Sequence, residues 1–191
     1  MNVNPLFDYG ESMSTTPRDT VDRIIRQWDA VRPDVDSSPI EVIGRVSRLS
    51  RLIDQHLAEN FARYDLDDWM YDVVATLRRS GEPYQLTAGD LMRQCMVTTG
   101  AMTNRIDRLE QRGLVERVAT DDRRKVIVQL TKRGLDTVDE VVVAHMATER
   151  EILSSLSTRQ QHELANLLRT TLVALGDHGE TPGLTSPRRS P

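Results

Sequence analysis

The run Thr98-Thr99-Gly100-Ala101-Met102-Thr103-Asn104-Arg105-Ile106-Asp107-Arg108-Leu109-Glu110-Gln111-Arg112-Gly113-Leu114-Val115-Glu116-Arg117-Val118 decides the fold. Met102, Ile106 and Leu109 recur at helical spacing, which turns one face inward, and Gly113 is a helix stop. The period then changes. Residues 114–118 and 126–130 are β-branched and roughly alternating, and they flank a polar tip at 119–125. Two such runs around a turn predict a hairpin. Upstream, Leu86-Thr87 opens a short helix to about Cys95, and Met96-Val97 breaks it before the helix at about 98–111. Two short helices across a tight turn, followed by a hairpin, predict a helix-turn-helix with a wing over residues 86–130.

Further out the pattern is helical. Trp69, Met70, Val73, Val74 and Leu77 predict a helix over about 67–80, stopped by Gly81. Ser38-Pro39-Ile40-Glu41 reads as a capped start, and Val42, Val46, Leu49, Ile53, Leu57 and Phe61 form one long stripe after it. Before that, Thr16-Pro17-Arg18-Asp19 predicts an N-cap, a first-turn proline and an acid, leading into Val21, Ile24, Ile25, Trp28 and Val31 and ending at Pro33. After the wing, Thr131 and Gly134 lead into a long helix to about Leu156, and residues 157–160 cap a last one bearing Leu164, Leu167, Leu168, Leu172 and Leu175. The expected class is mainly α with a small β-hairpin wing: a winged helix-turn-helix on an α-helical dimerisation scaffold. Its parts are a lead-in at 1–15, an extra N-terminal helix at 16–33, scaffold at 38–63 and 134–176, a DNA-binding lobe at 66–133 and a tail at 177–191. Lead-in and tail lack periodicity and are expected to be disordered.

Of 191 residues 38% are hydrophobic, enough for one core, and the net charge is −4. That average hides an asymmetry. Residues 93–133 hold ten basic and five acidic side chains, so this window is +5 and the rest of the chain −9. A basic module on an acidic scaffold is the pattern of a DNA reader, and also that of a solvated charged surface. No apolar run approaches the ~20 residues of a membrane span, so no membrane association is expected. Residues 1–13 carry two acids and no base, unlike a signal peptide. The single Cys95 excludes an internal disulfide and suits a reducing cytoplasm. No glycine-rich phosphate loop or nucleophile elbow is present, and His56, His145, His162 and His178 lack metal-ligand spacing. The chain is expected to be no enzyme and to need no cofactor.

The chemistry of the 98–111 helix suits a major groove. Thr98, Thr99, Gly100, Ala101 and Thr103 let its N-terminus approach closely, with free N–H groups for anions. Asn104 and Arg105 bear the forked groups that match adenine and guanine edges, and Arg108 adds a cation on the same helix. Arg123, Arg124 and Lys125 at the hairpin tip are phosphate or minor-groove candidates, and Asp122 is close enough in sequence to orient one of the arginines.

Residues 100–117, then Asp121-Asp122-Arg123-Arg124 and Leu130-Thr131-Lys132-Arg133-Gly134, resemble the MarR family of regulators, and the helix order extends the likeness over about 38–176. The resemblance implies a homodimer with interleaved first and last helices, bound to a double-stranded operator and released by a small ligand. It also implies that Asn104 and Arg105 face bases and that Arg124, steadied by Asp122, enters the minor groove.

A second input is expected. Asp72 and Arg79 are seven apart, hence on one helix face and about 10 Å apart along the axis. Trp28 lies on the extra helix and Arg117 begins the wing. Singly, Trp28 also reads as dimer core, Arg79 as a helix-end cation and Asp72 as a surface acid. Together, Trp28, Asp72, Arg79 and Arg117 are similar to the urate-responsive branch of the family. That resemblance implies a small anionic effector, urate or a related purine, stacked on Trp28 and paired with Arg79. Asp72 and Arg117 are expected to pair when the ligand is absent. Trp69-Met70-Tyr71, ahead of Asp72, is bulkier than that branch's usual stretch. A phenolic acid such as salicylate also suits an arginine and an aromatic ring. Cys95 is read either as an oxidation switch or as a small buried hydrophobe.

Overall fold

The structure, a computed structural model, describes residues 17–120, 122 and 125–179. The chain divides into two compact units, residues 1–52 and 53–191.

In the first unit, α1 (Thr20–Val31) begins three residues later than the Thr16 cap would set it. Asp19 is the cap: its carboxylate accepts from the N–H groups of Val21 and Asp22, and the Asp22 carboxylate takes the Asp19 N–H in return. Two reciprocal bonds at Asp19 outweigh the proline signal at Pro17. Thr16 lies outside the described residues. The helix α2 (Ile40–Ala62) starts at the expected place; its residues 40–52 belong to this unit and 53–62 to the second. Its Arg45 spans Asp19 at 2.8 Å and Asp22 at 2.6 Å, tying the two helices at the cap. Val21 is buried there against Gly44, where an added Cβ would lie 3.2 Å from a Val21 methyl. Val42, Ile43, Val46, Leu49 and Leu52 of α2 stay exposed.

In the second unit, α3 (Asp68–Arg79), α4 (Ala88–Gln94), α5 (Thr99–Gln111) and α6 (Lys132–Ile152) enclose one core. It contains Val73, Val74 and Leu77 from α3, Leu91 from α4, Met102, Ile106 and Leu109 from α5, and Val138 and Val141 from α6. The sheet is three-stranded and antiparallel, in the order β1-β3-β2. Strands β2 (Val115–Val118) and β3 (Ile127–Leu130) are the expected hairpin, with Val115 opposite Leu130. Strand β1 (Gln85–Thr87) corrects the helix expected to open at Leu86: Leu86 pairs with Val128, and α4 starts only after Thr87. Thr87 ends the strand and caps the helix, its hydroxyl accepting from the Asp90 N–H at 3.1 Å. A three-residue strand is too short for alternation to reveal.

The passage from α5 to α6 is tightly built. Gly113 has φ +67°, left-handed backbone that glycine adopts freely, and it turns the chain into β2. Thr131 donates its hydroxyl to the Gly113 carbonyl at 2.7 Å and caps α6 by accepting the Gly134 N–H at 3.0 Å. At Gly134 a Cβ would stand 1.9 Å from the Leu114 carbonyl oxygen, so only glycine permits this approach. The last helix, α7 (Thr158–Ala174), is capped by Ser157 and Gln160 as expected but buries no residue. No described helix is long and apolar enough to cross a membrane.

Candidate nucleic-acid interface

Burial sorts α5 into two faces. Met102, Ile106 and Leu109 are buried, while Thr98, Thr99, Gly100, Ala101, Thr103 and Asn104 are exposed. Thr98 is the cap, its side chain accepting from the Ala101 N–H, so the free amides of the first turn open on the exposed hydroxyl-rich end. The turn before it carries Met96 at φ 49°, almost wholly exposed.

The arginines of this helix are held rather than loose. Arg105 has its guanidinium 3.9 Å from the Asp72 carboxylate and over the Trp69 ring at 5.7 Å. Arg108 lies over the same ring at 4.7 Å and 3.6 Å from Asp67. Arg112 is tied to Asp65 at 2.5 Å. In this state the carboxylates of Asp72 in α3 and Asp67 just before it face Arg105 and Arg108, the groups expected to meet DNA.

At the wing tip, Asp122 and Lys125 form an ion pair at 3.8 Å, and Lys125 also donates its N–H to the Asp122 carbonyl at 2.9 Å. Arg123 and Arg124, with Asp121, lie outside the described residues.

Of the four expected effector residues, three belong to the second unit. Asp72 is half-exposed and its carboxylate faces α5. Arg79 is exposed, with no hydrogen bond or ion pair among the described residues. Arg117 corrects the expected pairing with Asp72: its guanidinium is bound by Asp107 and Glu110, both on α5, which raises its pKa. Those acids stand ten and seven residues before it, where the turn at Gly113 folds β2 back along α5. Trp28, in the first unit, is 48% exposed on α1. Three partners were missed from sequence: Trp69 beneath two arginines, and Asp107 and Glu110 holding a third. The spacing of Arg105 and Arg108, i and i+3 on one helix, was the available signal for a shared partner.

Cys95 is 8% exposed, its sulfur 3.8 Å from the Thr76 hydroxyl. Burial, then the nearby Asp72 charge, pushes its thiol up to about 11. A thiol so placed is a poor nucleophile at neutral pH, which agrees with the buried-hydrophobe reading.

The MarR family model matches residues 64–125. The chain is 41% identical over 149 residues to the HTH-type transcriptional regulator PecS of Dickeya dadantii (strain 3937), covering 78% of this chain and 90% of PecS. To the regulator MhqR of Bacillus subtilis (strain 168) it is 26% identical over 65% of this chain and 84% of MhqR. Among solved structures, AbsC from Streptomyces coelicolor, a MarR family transcriptional regulator, aligns with TM-score 0.67 at 23% identity, over 74% of this chain and 96% of AbsC. A mutant MarR from E. coli complexed with operator DNA aligns with TM-score 0.63 at 24% identity, over 76% of this chain and 97% of that one.

Proposed function

The chain belongs to the MarR family of DNA-binding transcriptional regulators, and from that premise we propose that it works in the cytoplasm as a homodimeric repressor whose operator is released by urate or a related purine anion. The division of α5 carries the DNA half of this reading: buried Met102, Ile106 and Leu109 anchor a helix whose Thr98, Thr99, Thr103 and Asn104 stand in solvent. That face reads bases, Arg105 and Arg108 join it once their acids are exchanged for DNA, and Arg123, Arg124 and Lys125 meet phosphate or the minor groove, which Arg124, steadied by Asp122, enters by the family resemblance.

The homodimer is supported by unpartnered apolar surface. In α7, Leu167, Leu168, Leu172 and Val173 are exposed, as is Leu175 just after it, although the helix is well capped. Contiguous apolar surface of this kind marks an interface, and a second copy of the chain is the occupant the family implies. Two-fold symmetry then asks for a pseudo-palindromic operator with half-sites about 34–36 Å apart.

The effector reading rests on the resemblance at Trp28, Asp72, Arg79 and Arg117, with the relay redrawn. Arg79, exposed on α3, offers a forked cation to a planar anion, and by that resemblance alone Trp28 is the ring that meets its face. An anion arriving beside Asp72 repels its carboxylate. Asp72 faces Arg105 of α5, so a carboxylate pressed towards that guanidinium holds it from the bases and favours release. Arg117 keeps β2 tied to α5 and carries that movement into the wing.

A mobility-shift assay on the intergenic DNA flanking the gene, titrated separately with urate, xanthine and salicylate, tests the reading. Release by urate or xanthine at lower concentration than by salicylate is expected. Release by salicylate alone would replace the purine with a phenolic acid, and no shift at low salt would remove the regulator.

A further inference from the structure

We propose that Trp69 is a positioning residue of the DNA-reading face: its indole is a neutral shelf that holds the guanidiniums of Arg105 and Arg108 side by side, ready for nucleic acid. The inference rests on α5 being the reading helix and adds a residue outside it.

Trp69 sits in the first turn of α3 and is half-buried. Its indole N–H donates to Asp67 Oδ2 at 3.0 Å, which fixes the ring plane. Over that ring lie both cations, Arg108 at 4.7 Å and Arg105 at 5.7 Å from the centroid, each within the range where a ring's negative face attracts a cation. Being i and i+3 on one helix, the two guanidiniums repel each other. The shared ring and the carboxylates of Asp67 and Asp72 offset that repulsion.

These partners differ in what DNA does to them. A guanidinium hydrogen-bonds through its edges and stacks through its face. Asp67 and Asp72 compete for the edges, so a phosphate or a guanine must displace them. The indole attracts each cation through its ring and not through a hydrogen bond, so that attraction survives the exchange. Trp69 therefore narrows the conformations of two long side chains before binding without occupying the atoms that bind. A ring buried only for packing would stabilise the lobe and leave discrimination between duplexes untouched.

The test uses the full chain and a duplex that the wild-type protein selects from a randomised pool, with a scrambled duplex of equal length as control. Trp69→Leu should lose about fivefold to tenfold in affinity for the selected duplex, with little change for the scrambled one and the same salt slope. Trp69→Phe, which keeps a ring, should stay within about twofold of wild type. A Leu variant equal to the Phe variant, or one that loses both duplexes alike, overturns the shelf. Should the Leu variant fail to fold, Trp28→Phe leaves Trp69 as the sole tryptophan. Its emission should then change on Arg108→Ala substitution and again when the duplex binds, and emission indifferent to both overturns the proposal. If the wild-type chain selects no duplex, the reading helix itself is refuted; selection without a Trp69 effect refutes the shelf alone.

Discussion

The carboxylate of Asp72 on α3 lies 3.9 Å from the guanidinium of Arg105 on α5, so an acid of the proposed effector set and a cation of the reading helix are in electrostatic contact. Both are part-exposed, at 42% and 24% of side-chain surface, and an ion pair so placed contributes little stability, ~0–1 kcal/mol. Its weakness leaves room for a switch, because DNA displaces the acid easily until a bound anion presses Asp72 onto Arg105. Asp72→Asn should leave operator affinity within about fivefold and abolish release by urate in a mobility-shift titration. A variant that lets go of DNA at the wild-type urate concentration excludes Asp72 from the relay.

Base reading and phosphate binding separate by salt. Arg105→Ala should cost about 1–3 kcal/mol at the selected duplex and relax preference at one base pair. Lys125→Ala should weaken all duplexes alike and reduce the slope of log affinity against log salt by about 0.9. Fluorescence anisotropy at four or five salt concentrations measures both.

Much of this was legible in the sequence, and the exceptions share a cause. Thr98 and Gly113 bounded α5 because capping is local, and Met102, Ile106 and Leu109 set its buried face because periodicity is local too. Strand β1 was invisible because Leu86 becomes a strand residue only by pairing with Val128, forty-two positions on. The partner of Arg117 was misread for the same reason. Nothing near Arg117 shows that the turn at Gly113 swings it back onto Asp107 and Glu110 instead of across to Asp72. Trp69-Met70-Tyr71 stood out as bulky, and the structure gives each a place: Met70 and Tyr71 are buried, while Trp69 lies beneath two arginines.

Cys95 yields a pH prediction. Burial holds the folded thiol at about 11 against 9.0 for a free one, so the protonated form is favoured in the native state. The stabilisation is complete below the unfolded value and is lost as pH rises from 9.0 towards about 11. Urea midpoints should fall across that window in wild type and less in Cys95→Ala. Iodoacetamide should label native protein slowly at pH 7.5 and rapidly in urea. Fast native labelling at neutral pH would return Cys95 to the redox candidates.

The exposed leucines of α7 give a test of assembly. Leu172→Glu alters a side chain 51% exposed in the single chain, so the secondary structure of each chain should be kept. Light scattering should show the wild type at twice the chain mass of 21.7 kDa and the variant shifted towards one. Equal masses for the two proteins would remove α7 from the interface.

Gly134→Ala probes the crossing beneath the wing. A methyl 1.9 Å from the Leu114 carbonyl oxygen forces backbone to move, with an expected loss of about 1–3 kcal/mol or more in urea denaturation. An unchanged midpoint would mean that the strand and helix part easily there.

That crossing also governs mechanics. With Thr131 bonded to Gly113 and the Leu114 carbonyl seated against Gly134, the end of α5, the root of β2 and the first turn of α6 form one rigid knuckle. A rocking of α5 within a groove cannot be absorbed at this joint; it travels up α6 as through a crank. Whatever steadies the far end of that long helix therefore sets how freely the fingertips on the DNA can tilt.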